Sequence, residues 1–368
     1  MDKMTNKETF IRGGRLRKTS KGLVSFAPFL AGASTLALGA LLATASPVEA
    51  GNCGAFDGDT TAGWVSTCTG GVNAGGDITA TVEPTAQQTG SVTVGDGDSF
   101  VHEVASGEGI RINTLNTNAL LTVDLDGNIT AAAAAEANGF ATEGVLDIRH
   151  NSTSAGVEVT TDGTITSSGG RGIWVTFLLG DSSVTANGAI TVEDEGITFG
   201  KSSTGAMNVT TGADGDITSR SEEGIVITSA QQGASGAVTL DIGGDITSAK
   251  AGIQFVQQSG SNGIGDAISI TTRSTSTITS SGNHAIGIGT THTSSTDVTL
   301  NLAGDIGSSS NANFYHGVRL THAGTGDVTA TLDGDIFVAS GSRGLDIDTT
   351  GSTDEMTVTI NGNIDVAG

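Results

Sequence analysis

In this chain of 368 residues, two groups of side chains recur at matching offsets and carry groups suited to proton transfer or metal binding. Carboxylates cluster at Glu193, Asp194 and Glu195, and again at Glu222 and Glu223. Glu195 and Glu223 each stand directly before a Gly-Ile phrase, so in a repeating fold one lies above the other. Like charges one rung apart raise the pKa of one of them, which is the pairing that acid–base work on polysaccharides needs. Arg171 holds the same offset one repeat earlier and is placed to neutralise Glu195. We therefore read these residues as a solvated turn ladder. His284 and His316 stand two residues before Ile286 and Val318, while His292 and His322 stand six residues before Val298 and Val328. Rungs about 5 Å apart would stack each pair. Imidazoles so placed are weak candidates for metal ligands or pH sensors, and a polar stack is the plainer expectation. Gly180-Asp181-Ser182-Ser183 approaches the GDSG that surrounds a catalytic serine, but it lacks the final Gly and a His/Asp context. It reads as a polar turn. No catalytic residue and no cofactor is expected.

The composition limits what can position these groups. There are 56 Gly against 3 Pro, aromatic residues make up 4 % and charged residues 15 %. Hydrophobic residues still reach 36 %, too many for a disordered chain. Gly and β-branched residues are weak helix formers, so the expectation is all-β with many turns. The formal charge is −23. Residues 1–50 hold seven Lys/Arg and three Asp/Glu, which leaves nine basic against 36 acidic residues in 51–368, or −27. Such a surface repels nucleic acid and anionic membranes, so no nucleic-acid partner is expected.

Lys3, Lys7, Arg12, Arg15, Arg17, Lys18 and Lys21 form a basic leader, and an apolar, small-residue-rich run follows at 23–45. Val48 and Ala50 supply the small residues of a signal-peptidase site, with cleavage between Ala50 and Gly51. Residues 1–50 thus read as a signal peptide, with signal peptidase and the general secretion machinery as partners. Export makes the compartment oxidising. The only two cysteines, Cys53 and Cys68, stand 15 residues apart and are expected to close a small disulfide loop within an N-terminal cap at 51–75.

The rest of the chain restates a short phrase. Aligning Ile129, Ile165, Ile190, Ile217, Ile246, Ile278, Ile306, Ile336 and Ile364 gives a mean interval of about 29 residues. Most copies are preceded by Gly-x, as at Gly215, Gly244, Gly304 and Gly334. An early copy at Ile78 lies 51 residues before Ile129, which implies a longer or irregular first coil. A second phrase, G-[IVL]-x-[IVFL], follows each first one, as at Gly224-Ile225 and Gly252-Ile253. A third, such as VTLDI at 238, precedes the next repeat. Each alternates apolar with polar residues, the period of a half-buried strand. AAAAAEA at 131–137 interrupts the series and reads as a bulging loop or helical turn.

Three short strands per repeat, restated at a fixed long period, specify a right-handed parallel β-helix over 76–368. A sandwich or barrel would show hairpins and no such period. Val238, Leu240, Ile242, Ile246, Ile253 and Phe255 should point inward, as should Val298, Leu300, Leu302, Ile306, Val318 and Leu320. Nine or ten coils would form a rod roughly 45 Å long. Gly at the corners is expected to supply φ > 0, with Asp and Asn closing the turns. The repeat is not the calcium-binding nonapeptide.

A long signal, a Cys pair at the mature start and GDITS/GI-x-V coils together resemble the passenger region of bacterial autotransporters. The resemblance implies a non-enzymatic, surface-exposed or secreted passenger, an adhesin or self-association rod, at the cell surface, in the outer membrane or outside the cell. It also implies a C-terminal translocator barrel, whose strand pattern is not present in this sequence, so the passenger reads as cut in mid-coil, and as periplasmic if no barrel follows. Host-surface or self contacts are the expected partners. The alternative from another class is a carbohydrate-active β-helix, a polysaccharide lyase or hydrolase. It calls for acidic, basic and aromatic residues clustered on one face, whereas Trp174 is among few exposed aromatic candidates. An ice-binding solenoid would need Thr ladders in register, which the sequence lacks.

Overall fold

The structure is a computed structural model. It divides the chain into Met1–Pro47 and Val48–Gly368. Residues 1–51, 54–63, 70–71, 75–77, 83–89, 95–100, 105–108, 118–119, 132–143, 153–154, 179, 202–204, 230–235, 258–265, 291–295, 314, 350–354 and 368 lie outside the described residues, as do side chains before 109. The leader, the cleavage site at Ala50 and Gly51, nearly all of the Ala-rich insertion and His292 therefore fall outside them.

Within Val48–Gly368 the described strands form three sheets of 12, 10 and 11 strands. Successive strands visit the first, second and third sheet in turn, and each pairs in parallel with its counterparts one coil away. The fold is a right-handed β-solenoid with three strands per coil, as the repeat predicts. One complete coil runs Val238–Ile242, Ile246–Ser248 and Ile253–Gln257. The sole antiparallel pair among the described strands joins Asn52–Cys53 to Trp64–Thr69 and sets Cys53 opposite Cys68. Their side chains lie outside the described residues. Trp64–Thr69 and Val72–Ala74 already pair in the first and second sheets, so stacking extends ahead of residue 76.

The register follows the Ile alignment. Ile129, Ile165, Ile190, Ile217, Ile246, Ile278, Ile306, Ile336 and Ile364 are successive partners in the second sheet. All of these except Ile364 are buried, and Ile364 is 41 % exposed in the last coil. The second phrase forms the third sheet and the third phrase the first sheet. All twelve side chains assigned inward in the two sampled repeats are buried. Each such aliphatic contributes about 1.5–3 kcal/mol on leaving water, and the ladder repeats that contribution in every coil.

Ile78 departs from the alignment. It pairs with Ile110 in the third sheet, whereas the second-sheet partner of Ile129 is His102. The early GDITA is thus a third-sheet strand that happens to share the phrase. Two ordinary coils precede Ile129, and eleven parallel strands stack in the described first sheet in place of nine or ten.

The corner glycines also depart from expectation. Among the described residues φ is positive at Gly236, Gly307 and Gly341, none of which is the leading Gly of a repeat phrase. The repeat glycines are small because the neighbouring coil leaves no room. A Cβ on Gly244 would lie 2.6 Å from the carbonyl carbon of Gly215, and one on Gly334 would lie 2.1 Å from the Gly304 oxygen. Asp plays its own part. Asp216 Oδ1 accepts from the N–H of Asp245 at 2.7 Å, and Asp245 Oδ1 accepts from the N–H of Thr277 at 2.7 Å. The series resumes from Asp305 to Asp335 at 2.9 Å and from Asp335 to Asn363 at 2.8 Å. Each carboxylate satisfies a corner N–H one coil further on, where the sheet ladder has no carbonyl to offer.

Candidate functional site

The residue directly before the Gly of each second phrase occupies one outer corner, between the second and third sheets. Backbone bonds stack these positions. Gly172 N–H donates to the Glu195 carbonyl at 2.9 Å, Gly196 to Glu223 at 3.2 Å, Gly224 to Ala251 at 2.9 Å, Gly252 to His284 at 3.2 Å and Ala285 to His316 at 3.1 Å. His316 is in turn the strand partner of Arg343. A single ladder therefore reads Arg171, Glu195, Glu223, Ala251, His284, His316, Arg343. It collects both chemical groups singled out in the sequence, which are two ends of one edge.

At one end the charges are paired. Arg171 donates to both oxygens of Glu195, at 2.7 and 3.2 Å, with side chains only 14 % and 15 % exposed. The neutralisation expected of Arg171 is thus made by a bidentate fork. Lys250 forms an ion pair with Glu222. Burial raises the Glu223 pKa, Lys250 lowers it, and Glu222 raises it again. Of the two carboxylates that would have served as acid and base, Glu195 is held in its own ion pair, and Glu223 stands beside the Lys250–Glu222 pair. Beside them on the third sheet lies a group that sequence reasoning missed. Asp147 is fully buried, with Arg149 Nη2 at 2.8 Å and Arg111 Nε at 3.4 Å. Burial pushes its carboxyl up, against the pull of both guanidinium groups. The guanidinium carbons of Arg149 and Arg171 stand 5.2 and 4.8 Å from the centre of the Trp174 ring, at cation–π distance. The signal was available: Arg111, Asp147 and Trp174 share one register position.

At the other end the imidazoles of His284 and His316 stack with centroids 5.1 Å apart and planes within 2°. Tyr315 meets both rings edge-on, at 5.7 and 4.8 Å. Arg343 N–H donates to His316 Nδ1 at 3.2 Å, which leaves the neutral ring's proton on Nε2, 3.8 Å from Asp346 Oδ2. Arg319 Nη1 stands 3.5 Å from His284 Nε2. Burial, then His316 and Arg319, push the His284 pKa down to about 4, with Asp346 opposing. Burial lowers His316 as well. Tyr315 is delivered by a longer connection after Ile306 that Asn313 anchors. Asn313 Oδ1 accepts from Ser280 N–H at 2.7 Å, and its N–H donates to the Phe337 carbonyl at 3.0 Å. Tyr315, His316 and Arg319 of one coil face Arg343, Asp346 and the turn at Ala339–Ser342 of the next across an open cleft of about 550 Å³.

His322 is not part of this group. It is buried, and its strand partner is Thr290 rather than a histidine. The offset that joined it to His292 was counted from the following first-sheet strand, across the connection whose length varies from coil to coil. Among the described residues the only set of three spaced to share an ion is Asp124, Asp126 and Asp162, within 4.8 Å of one another. Burial, then Asp126 and Asp162, raise the Asp124 pKa. Carboxylates at coil corners meet in this way without an ion, and we assign no metal. Ser182, from the GDSS stretch, is 2 % exposed, and its hydroxyl accepts from Val157 N–H at 3.0 Å and donates to the Gly180 carbonyl at 3.1 Å. Both bonds are structural.

Comparison of the chain with protein-family models, with curated proteins and with solved structures returned no match.

Proposed function

We propose that the chain is a non-enzymatic, exported passenger of the autotransporter type, which acts at the cell surface or outside the cell through adhesion or self-association. The observation that supports this reading is the division of labour in each coil. Inward positions and corner Gly/Asp repeat with little change, and the chemistry that varies is gathered on the outer edge from Arg171 to Arg343. A rod that presents one variable edge is built to be touched along its length. Its partners on this reading are signal peptidase, the general secretion machinery, a translocator barrel, and a host surface or further copies of itself. The bidentate Arg171–Glu195 pair removes the carboxylate that a polysaccharide-cleaving reading most needed.

The test is expression of the whole chain fused to a translocator barrel in a Gram-negative host. A mature chain beginning at Gly51, reached by protease added outside the cell, with increased binding of cells to surfaces or to one another, is the expected result. Retention inside the cell with residues 1–50 uncleaved would overturn the reading, as would unsaturated products after incubation with polysaccharides.

A further inference from the structure

The cleft beside the stacked histidines has features of a ligand site that the solenoid does not need. Asp346 is already engaged by Arg343, whose Nη1 lies 2.6 Å from Oδ1. Arg319 is the strand partner of Asp346, yet no carboxylate among the described residues lies within ion-pair distance of it. Among the described residues its one side-chain polar contact is the ring of His284, a group that carries no charge near neutral pH. A guanidinium facing an open cleft, in a chain of net charge −23, is conspicuous for the carboxylate it lacks.

A second observation concerns His284 itself. Arg319 can only donate, so Nε2 is the acceptor and the ring proton sits on Nδ1. Nδ1 is buried without a hydrogen-bond partner in a side chain 7 % exposed. The ring is thus held in a tautomer that serves Arg319 at the cost of an unsatisfied buried donor, a cost of about 1–3 kcal/mol. The arrangement fixes the guanidinium rather than relaxing the histidine. A third observation is the wall. Gly341 takes φ +81° with nothing within 4 Å of its added Cβ, so the turn at Ala339–Ser342 stands clear of the opposite side. Tyr315 is 52 % exposed at the rim, and Ser340 and Ser342 line the turn.

We propose that this cleft binds a carboxylate carried on a polyhydroxylated ring, a sugar acid. Arg319 receives the carboxylate in its planar fork, Tyr315 offers an aromatic surface to the ring, and the serine hydroxyls meet its hydroxyl groups. The Arg343–Asp346 pair gives the far wall one donor and one acceptor edge. The assignment stands on the cleft and holds whether or not the chain is exported.

Calorimetric titration of the whole chain with a glucuronate trisaccharide tests it, with a neutral glucose trisaccharide and sodium phosphate as separate arms. Uronate binding should weaken about tenfold or more in Arg319→Gln, the loss expected for a charged hydrogen-bonding pair. Arg319→Lys, which keeps the charge and loses the fork, should fall between. Arg273→Gln, at a different corner against Asp241, should bind as the parent does. Absence of heat with uronate would overturn the proposal. So would binding that Arg319→Gln leaves unchanged or that Arg273→Gln weakens equally, and so would equal uptake of the neutral sugar or of phosphate.

Discussion

A Cβ placed on Gly224 would stand 2.5 Å from the Cγ2 of Ile246, one coil further on. The same contact recurs between Gly196 and Ile217 at 2.3 Å, Gly252 and Ile278 at 2.4 Å, and Gly317 and Ile336 at 2.6 Å. The Gly of the second phrase and the Ile of the first are therefore halves of one device. The Gly removes a side chain so that the next coil's Ile can reach over the corner.

Gly224→Ala should accordingly destabilise the fold by about 1–3 kcal/mol, the range for overpacking a close contact. Gly289→Ala is the control, because nothing lies within 4 Å of its added Cβ. It should change stability by no more than about 0.5 kcal/mol. Denaturant midpoints of the two variants decide the matter, and equal effects would remove the packing account.

Asp245→Ala should cost about 1–2 kcal/mol, because it strips the acceptor from Thr277 N–H. Asp245→Asn should recover most of the loss. Asn128 Oδ1 performs the same service for Thr164 N–H at 2.7 Å, so the position needs an oxygen rather than a charge. Comparing the two denaturation curves separates hydrogen bonding from electrostatics.

Arg171→Met leaves Glu195 without its fork in a part-buried setting and should destabilise by about 1–3 kcal/mol, below the cost of breaking a fully buried pair. A double-mutant cycle with Glu195→Gln should show that the two changes are not additive. Because Arg171 also stands 4.8 Å from the Trp174 ring centre, its loss should alter tryptophan fluorescence, whereas Glu195→Gln should alter it less.

Stability should fall as the pH drops from about 6.5 towards 4. An ordinary histidine titrates near 6.5, whereas folded His284 and His150 are each pushed down to about 4. Between those values the unfolded chain binds protons that the folded chain refuses, so stability held above 6.5 is lost on acidification. The charged and titratable groups facing His284 are His316, Tyr315, Arg319 and Asp346. Of these, His316 and Arg319 reinforce the shift and Asp346 opposes it. His284→Gln should flatten part of the slope in urea midpoints taken at pH 7, 5.5 and 4.5, and His150, His316 and His322, whose pKa values burial also lowers, should retain the rest. A slope unchanged by the substitution would remove His284 as a contributor.

The amino-acid sequence by itself determined the strands, their order and their register through most of the stack. Period-two alternation selects the inward face, and a repeat of about 29 residues leaves parallel stacking as the only arrangement that buries every Ile of the first phrase against its like. It also placed His284 over His316, because their offset is counted within the third-sheet strand and crosses no variable turn. The offset of His322 crosses the connection from the third sheet to the first, where coils differ in length, and there the reading failed. Ile78 failed for a related reason: a phrase as short as GDIT fits either sheet, and only pairing with Ile110 decides between them. Tertiary structure alone decided why the repeat glycines are glycines. The steric demand comes from a neighbour one coil away, and local φ preference does not report it. It decided equally that Arg319, Arg343 and Asp346 close a cleft around the histidines. Residues 27 to 35 apart in the chain become neighbours only when the next coil is laid on top.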